Sequence, residues 1–161
     1  MAEVYASSAR GLVGYLTVLT GSRTDAEELT QDAFVKLLQH WPKVREYDDP
    51  VAWLRQVATR AAISRARRRQ VATLGLRRLS TTAPLTTPGP SATVEHSVDV
   101  DAALATLPLT HRAVVLLHYL HDLSVAEIAS LLGVAPGTVK SRLSRARSAL
   151  APLLEEDHEL R

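Results

Sequence analysis

The stretch from Ser124 to Ala149, SVAEIASLLGVAPGTVKSRLSRARSA, leaves little freedom in how it folds. Ser124 followed three residues later by Glu127 is a capping box. Its hydroxyl and carboxylate each satisfy a backbone N–H that a first helical turn leaves without a partner. Gly133, after Leu131 and Leu132, stops that helix, because glycine enters the left-handed region without a Cβ penalty. Pro136 suits the first turn of a second helix, where its missing N–H removes no bond. Ile128, Leu132, Val134, Val139 and Leu143 supply the apolar set that holds the pair together. Thr138, Lys140, Ser141, Arg142 and Arg145 then fall at or near the outer surface. Two short helices, a tight turn and a basic outer face on the second helix make a helix-turn-helix, which lays its second helix in the DNA major groove. An ordinary helical hairpin does not need the turn glycine, the early proline and the basic face together.

At 161 residues the chain has room for one ordinary domain or two small ones. Only 4% of residues are aromatic, and the 46% hydrophobic share is mostly Ala, Leu and Val, a mix suited to small helical bundles rather than one large core. The absence of cysteine rules out a disulfide frame or a thiolate metal site. No apolar run approaches the roughly 20 residues needed to span a bilayer, and the N-terminus lacks a signal-peptide pattern. A cytoplasmic chain without direct membrane insertion is expected. The net charge of +2 conceals an asymmetry: eight arginines and no acidic residue lie between Trp53 and Leu79, whereas the last seven residues, EEDHELR, are mostly acidic. Phosphate binding follows clusters rather than totals, so an anionic partner is expected near the middle of the chain.

The remaining periodicity is helical. Leu12, Leu16 and Leu19 share one face of a first helix, which Gly21-Ser22 breaks. Thr24 with Glu27 reads as another capping box. The helix that follows places Ala26, Leu29, Ala33, Leu37 and Trp41 on one stripe, with Phe34 and Leu38 beside it, and Pro42 is expected to end it. Asp49-Pro50 caps a helix through Trp53, Leu54, Val57, Ala61 and Ile63 that ends in the arginine run. Residues 72–97, with three prolines in a Ser/Thr-rich stretch, read as a flexible linker. A helix over 98–106 ends before Pro108, Thr110 caps another to about Leu120, and Pro152 marks the approximate end of the helix-turn-helix.

This order of parts resembles the extracytoplasmic-function group of bacterial RNA polymerase sigma factors. Asp25–Trp41 (DAEELTQDAFVKLLQHW) with Asp49–Arg69 (DPVAWLRQVATRAAISRARRR) is similar to the family's region 2, and Leu104–Leu150 to its region 4. The resemblance implies an all-α protein of two small helical domains: residues 1–71 as region 2, 72–97 as linker, 98–154 as region 4 and 155–161 as an acidic tail. By the family's pattern the first helix starts short at Met1, which points to residues upstream of it.

The resemblance also implies roles. Asp25, Glu28, Gln31, Asp32 and Lys36 would dock on core RNA polymerase. Arg45, Tyr47, Asp48, Arg55, Arg60, Ser64, Arg67 and Arg68 would take the melted −10 strand, since an unstacked base needs a pocket and cations must hold its phosphates. Thr138, Lys140, Ser141, Arg142 and Arg145 would read the −35 duplex, arginine on guanine being the commonest specific contact. Trp53, spaced helically with Val57, reads more readily as core than as a DNA contact. Family members commonly carry Asn and Asp where Arg60 and Ser64 stand here. Partners would be core polymerase, promoter DNA and an anti-sigma factor, with no cofactor, metal or small-molecule substrate. About 26 linker residues reach on the order of 85 Å when extended, against about 70 Å between promoter elements some 20 base pairs apart.

Two other readings compete. Catalysis would need a phosphate-cradling glycine loop, a nucleophile elbow or paired carboxylates, and the sequence contains none of these motifs. His118 and His121, with Asp122 beside them, are too few for an expected metal site. A free-standing duplex-binding regulator would use the helix-turn-helix alone, leaving the N-terminal helices and the arginine run without a role.

Overall fold

The computed structural model describes residues 2–79 and 98–159, and every regular element in them is helical. α1 (Ala2–Thr20), α2 (Arg23–Val44) and α3 (Pro50–Leu79) form the first half. α4 (Val98–Ala105), α5 (Leu109–Val115), a π-helical turn (Leu116–Leu120), α6 (Val125–Leu132) and α7 (Pro136–Glu159) form the second. Most of the linker stretch, residues 80–97, and the last two residues of the acidic tail lie outside the described residues.

In the first half α1 and α2 pack together and α3 closes over both. Leu16, Leu19, Leu37, Val44 and Leu54 are fully enclosed there. In the second half α7 collects α4, α5 and α6, burying Val114, Leu117, Ile128 and Val139. The expected stripe on α2 is buried at Ala26, Leu29, Ala33 and Leu37, while Leu38 turns outward.

The helix ends hold several corrections. The N-cap of α2 is Ser22, not Thr24: its hydroxyl accepts from the Asp25 N–H at 3.2 Å, and Glu27 pairs with Arg23 instead. Pro42 does not end α2. The helix continues to Val44, whose side chain is buried, so one lost backbone bond is offset by seating an apolar residue. α3 passes the expected boundary at 71 and runs to Leu79, since nothing between 72 and 79 breaks a helix outright. Thr110 is not a cap. α5 begins after Pro108, whose carbonyl accepts from the His111 and Arg112 N–H groups, both at 2.9 Å. Pro152 lies inside α7 rather than near its end.

The expected helix to Leu120 widens into the π turn, after which Asp122 is left-handed at φ 52°. The Leu123 N–H reaches back to the Leu117 carbonyl at 3.1 Å, and His118 Nδ1 lies 2.8 Å from the Leu123 carbonyl. Leu116 and Leu117 stay inside while Tyr119 and Leu120 face out. The helix-turn-helix matches its sequence: the Ser124–Glu127 box is closed in both directions and Gly133 is left-handed at φ 67°.

The two halves are packed on one another. Buried side chains from both make one continuous cluster, with α1 touching α4 and α5, and α3 touching α5 and α6. The low aromatic content does not prevent this, because fully buried Ala26, Ala58, Ala113 and Ala146 let helix axes come close. Arg112 joins the halves. Its Nη1 donates to the Leu19 carbonyl at 2.9 Å and to Val18 at 3.3 Å, and its Nη2 to Leu107 and Ala105 at 2.9 and 3.0 Å. One guanidinium thereby serves the C-terminal end of α1 and the α4–α5 corner, where helix carbonyls have no intrahelical donor.

Beside it Tyr15 bonds the Thr59 hydroxyl at 2.8 Å and meets the His121 ring edge-on, centroids 5.0 Å apart. Burial pushes the Tyr15 phenol up to about 12. Burial first, and the Arg55 charge second, push the His121 imidazole down to about 4, with Asp122 opposing. His121 is therefore neutral in the packed state. The stability this confers is whole above its ordinary value near 6.5 and is lost as pH falls toward 4. After allowance for solvent access, about 1 kcal/mol should be lost between pH 7 and pH 5. That lowers the melting temperature by about 2–4 °C. His121→Phe keeps the ring contact and should flatten the dependence when melts are compared at the two pH values. A smaller slope should remain from His111, which burial and then Arg142 and Arg145 also shift downward.

Candidate nucleic-acid and polymerase interfaces

On α7 the turn after Gly133 sets the angle of the second helix, and buried Val139, Leu143 and Ala146 fix its rotation. Lys140, Ser141 and Arg145 are thereby exposed, and Thr138 and Arg142 half-exposed. The Ser141 hydroxyl is spent locally, donating to the Thr138 carbonyl at 3.0 Å. Lys140, Arg142 and Arg145 thus remain the long cationic groups suited to phosphates and base edges.

On the first half, Asp49 starts α3: its Oδ1 accepts from the Ala52 N–H at 2.9 Å. That holds the preceding loop, with Arg45, Tyr47 and Asp48 exposed. Tyr47, Trp53, Arg55 and Gln56 line a cleft of about 360 Å³ whose far wall is Leu123, Glu127, Ser130 and Leu131 of the second half. Trp53 is half-buried, packed on the core on one side and on His40 edge-on, with centroids 5.9 Å apart. It serves as both core and cleft wall, and the sequence reading of it as core gave only half of that. Arg60 reaches across, donating from Nε to the Leu131 carbonyl at 2.5 Å and from Nη2 to Ser130 at 3.2 Å. Arg67 and Arg68 are exposed further along α3, Arg68 donating to the Ser64 hydroxyl at 3.0 Å.

The arginine run is not uncompensated, as its sequence suggested. Arg69 grips Asp25 with both terminal nitrogens at 2.5 and 2.8 Å, and Arg65 pairs with Glu28 and lies 3.7 Å from Asp25. The Arg69 hydrogen bond holds the Asp25 carboxyl below the usual range. Of the five residues expected to meet the polymerase, Asp25 and Glu28 are therefore engaged with α3. Gln31, Asp32 and Lys36 are exposed, beside exposed Val35 and Leu38.

Sequence reasoning missed Arg112, Tyr15 and Thr59. Arg112 left one trace, as the only charge within LTHRAVVLL. A cation inside an apolar helix must find fixed acceptors. The expectation about His118 and His121 can be placed as well: His118 faces the Leu123 carbonyl and His121 packs against Tyr15. Among the described residues no helix is long and apolar enough to cross a membrane.

Residues 4–71 match the family described as Sigma-70 region 2, and residues 97–150 that described as Sigma-70, region 4. The ECF RNA polymerase sigma factor SigM of Mycobacterium tuberculosis is 39% identical over 140 residues, 83% of this chain and 67% of its own length. SigL of the same species is 36% identical over 160 residues, 97% of this chain and 89% of its own. Among solved structures, the sigma factor RpoE of Bartonella quintana, in complex with the anti-sigma factor NepR, has the same fold. Its TM-score is 0.71 at 24% identity, covering 96% of each chain. Sigma factors are regulatory DNA-binding proteins, and this chain belongs to the extracytoplasmic-function group of the sigma-70 family of RNA polymerase sigma factors.

Proposed function

We propose that the chain is an alternative sigma factor working in the cytoplasm, with residues 1–71 docking on core polymerase and taking the melted −10 strand, 98–154 reading the −35 duplex, and 72–97 linking them. It directs the polymerase's chemistry and performs none. The observation that carries this is the doubly closed capping box and turn that aim Lys140, Arg142 and Arg145 outward, on the same chain as the exposed Arg67 and Arg68 of α3. Core docking falls to the α2 face of Gln31, Asp32 and Lys36 with Val35 and Leu38, because Asp25 and Glu28 are held by Arg69 and Arg65. The Bartonella sigma factor is in complex with an anti-sigma factor; a partner of that kind would inhibit this chain by holding both halves.

Run-off transcription of a genomic fragment library with bacterial core polymerase tests this. New start sites sharing paired upstream elements should appear only when core and this chain are both present. Tight duplex binding by the chain alone, with no core-dependent transcript, would replace this reading with a free-standing regulator.

A further inference from the structure

We propose that the strength of the contact between the two halves is set by a proton: uptake by His121, the residue that caps the π turn, drives the second half away from the first. His121 belongs to the second half, but the groups around its ring come from the first. Tyr15 of α1 meets it edge-on with centroids 5.0 Å apart, and the Arg55 cation of α3 acts on it. The His121 Nε2 is buried and has no hydrogen-bond partner. Thr59 spends its one proton on the Arg55 carbonyl at 2.8 Å, so Tyr15 is the donor in the 2.8 Å bond between the two hydroxyls. That chain of donors ends inside the first half.

A neutral imidazole can keep its proton on Nδ1 and leave Nε2 bare. An imidazolium must put an N–H on Nε2, where no acceptor waits, and set a full charge against the Arg55 guanidinium. The Asp122 carboxylate opposes this, but Asp122 is exposed and its influence is the smallest of the three. These penalties last only while the halves touch. Once they part, the ring meets water and regains its ordinary value near 6.5, against about 4 in the packed chain. The proton therefore binds the parted arrangement more tightly and by linkage favours it. The contact is at full strength above pH 6.5 and weakens as pH falls toward 4.

The neighbouring groups do not share this behaviour. Arg112 stays charged throughout. His118 faces the Leu123 carbonyl and His111 lies near Arg142 and Arg145, both within the second half. His40 packs on Trp53 within the first. Any ligand of a surface hidden between the halves is thereby favoured in acid, with no change in its own chemistry.

The test uses the full chain, which has no cysteine of its own. A donor and an acceptor dye at Glu46→Cys and Ser148→Cys, both exposed positions, report separation of the halves by energy transfer. Circular dichroism on the same urea series reports loss of helix and confirms that each variant folds. Energy transfer should be lost at lower urea than helix. At one urea concentration between the two transitions, the separation constant should rise about fivefold from pH 7 to pH 5. In His121→Phe, which keeps the ring contact, it should rise less than twofold. Arg55→Gln should weaken the rise without abolishing it, and His111→Gln should leave it whole.

An unchanged separation constant in the wild type overturns the proposal. So does a full rise in His121→Phe, loss of the rise in His111→Gln, or energy transfer and helix lost together at both pH values. Neither DNA nor polymerase enters the measurement, so its failure and that of run-off transcription are separate results.

Discussion

Replacing Arg142 and Arg145 together by alanine is expected to reduce promoter-specific transcription by a factor of 30 or more, with binding to core polymerase changed less than twofold. Each arginine that pairs bidentately with a base edge contributes about 1–3 kcal/mol of discrimination, and about 1.4 kcal/mol is tenfold. Two such losses span roughly 30-fold to about 20,000-fold. Buried Val139, Leu143 and Ala146 fix α7 from its other side, so the double variant should melt within about 2 °C of wild type. Run-off yield and a core-binding titration on the same preparations check this. If core affinity fell as far as transcription, the division of labour between the halves would be wrong.

Arg112→Ala is expected to cost about 3–5 kcal/mol and lower the melting temperature by about 10 °C. Two of its four acceptors, the Leu19 and Leu107 carbonyls, are reached through buried bonds. Each buried carbonyl left without a donor costs about 1–3 kcal/mol, and removing the side chain also leaves a cavity. For a chain of this length each kcal/mol lowers the melting temperature by about 2–4 °C. Arg112→Lys keeps the charge but not the planar fork, and should fall between the two. A melt that moved by less than 2 °C in Arg112→Ala would mean that water replaces the guanidinium and that the contact between halves is loose.

What could be read beforehand was what is local. The helix-turn-helix was legible because its cap, turn glycine and proline act within a few residues of one another, and the apolar stripe on α2 for the same reason. Pro42 misled because the seat for Val44 is built by other helices, and Thr24 because Ser22 lies two residues earlier with an equally good hydroxyl. The contacts that hold these arginines join residues far apart: Asp25 with Arg69 across 44 positions, Arg60 with the Leu131 carbonyl across 71, Arg112 with the Leu19 carbonyl across 93. No periodicity announces such partners. The arginine run therefore read as free charge when part of it was already neutralised.

The extension of α3 to Leu79 turns the connector into a measuring device. Eight residues that would cover about 26 Å as extended chain cover only about 12 Å as helix. The 18 positions from 80 to 97 can contribute at most on the order of 60 Å. If the two halves read paired promoter elements as proposed, a widely spaced pair would have to unwind the end of α3 to be bridged, and a compact pair would not. Gly75 lowers the resistance of that segment by about 1 kcal/mol relative to alanine. Tolerance of spacer length in this protein would then be decided by how readily one helix frays, which makes the sequence from Ala72 to Leu79 as much a part of promoter choice as the side chains that touch the bases.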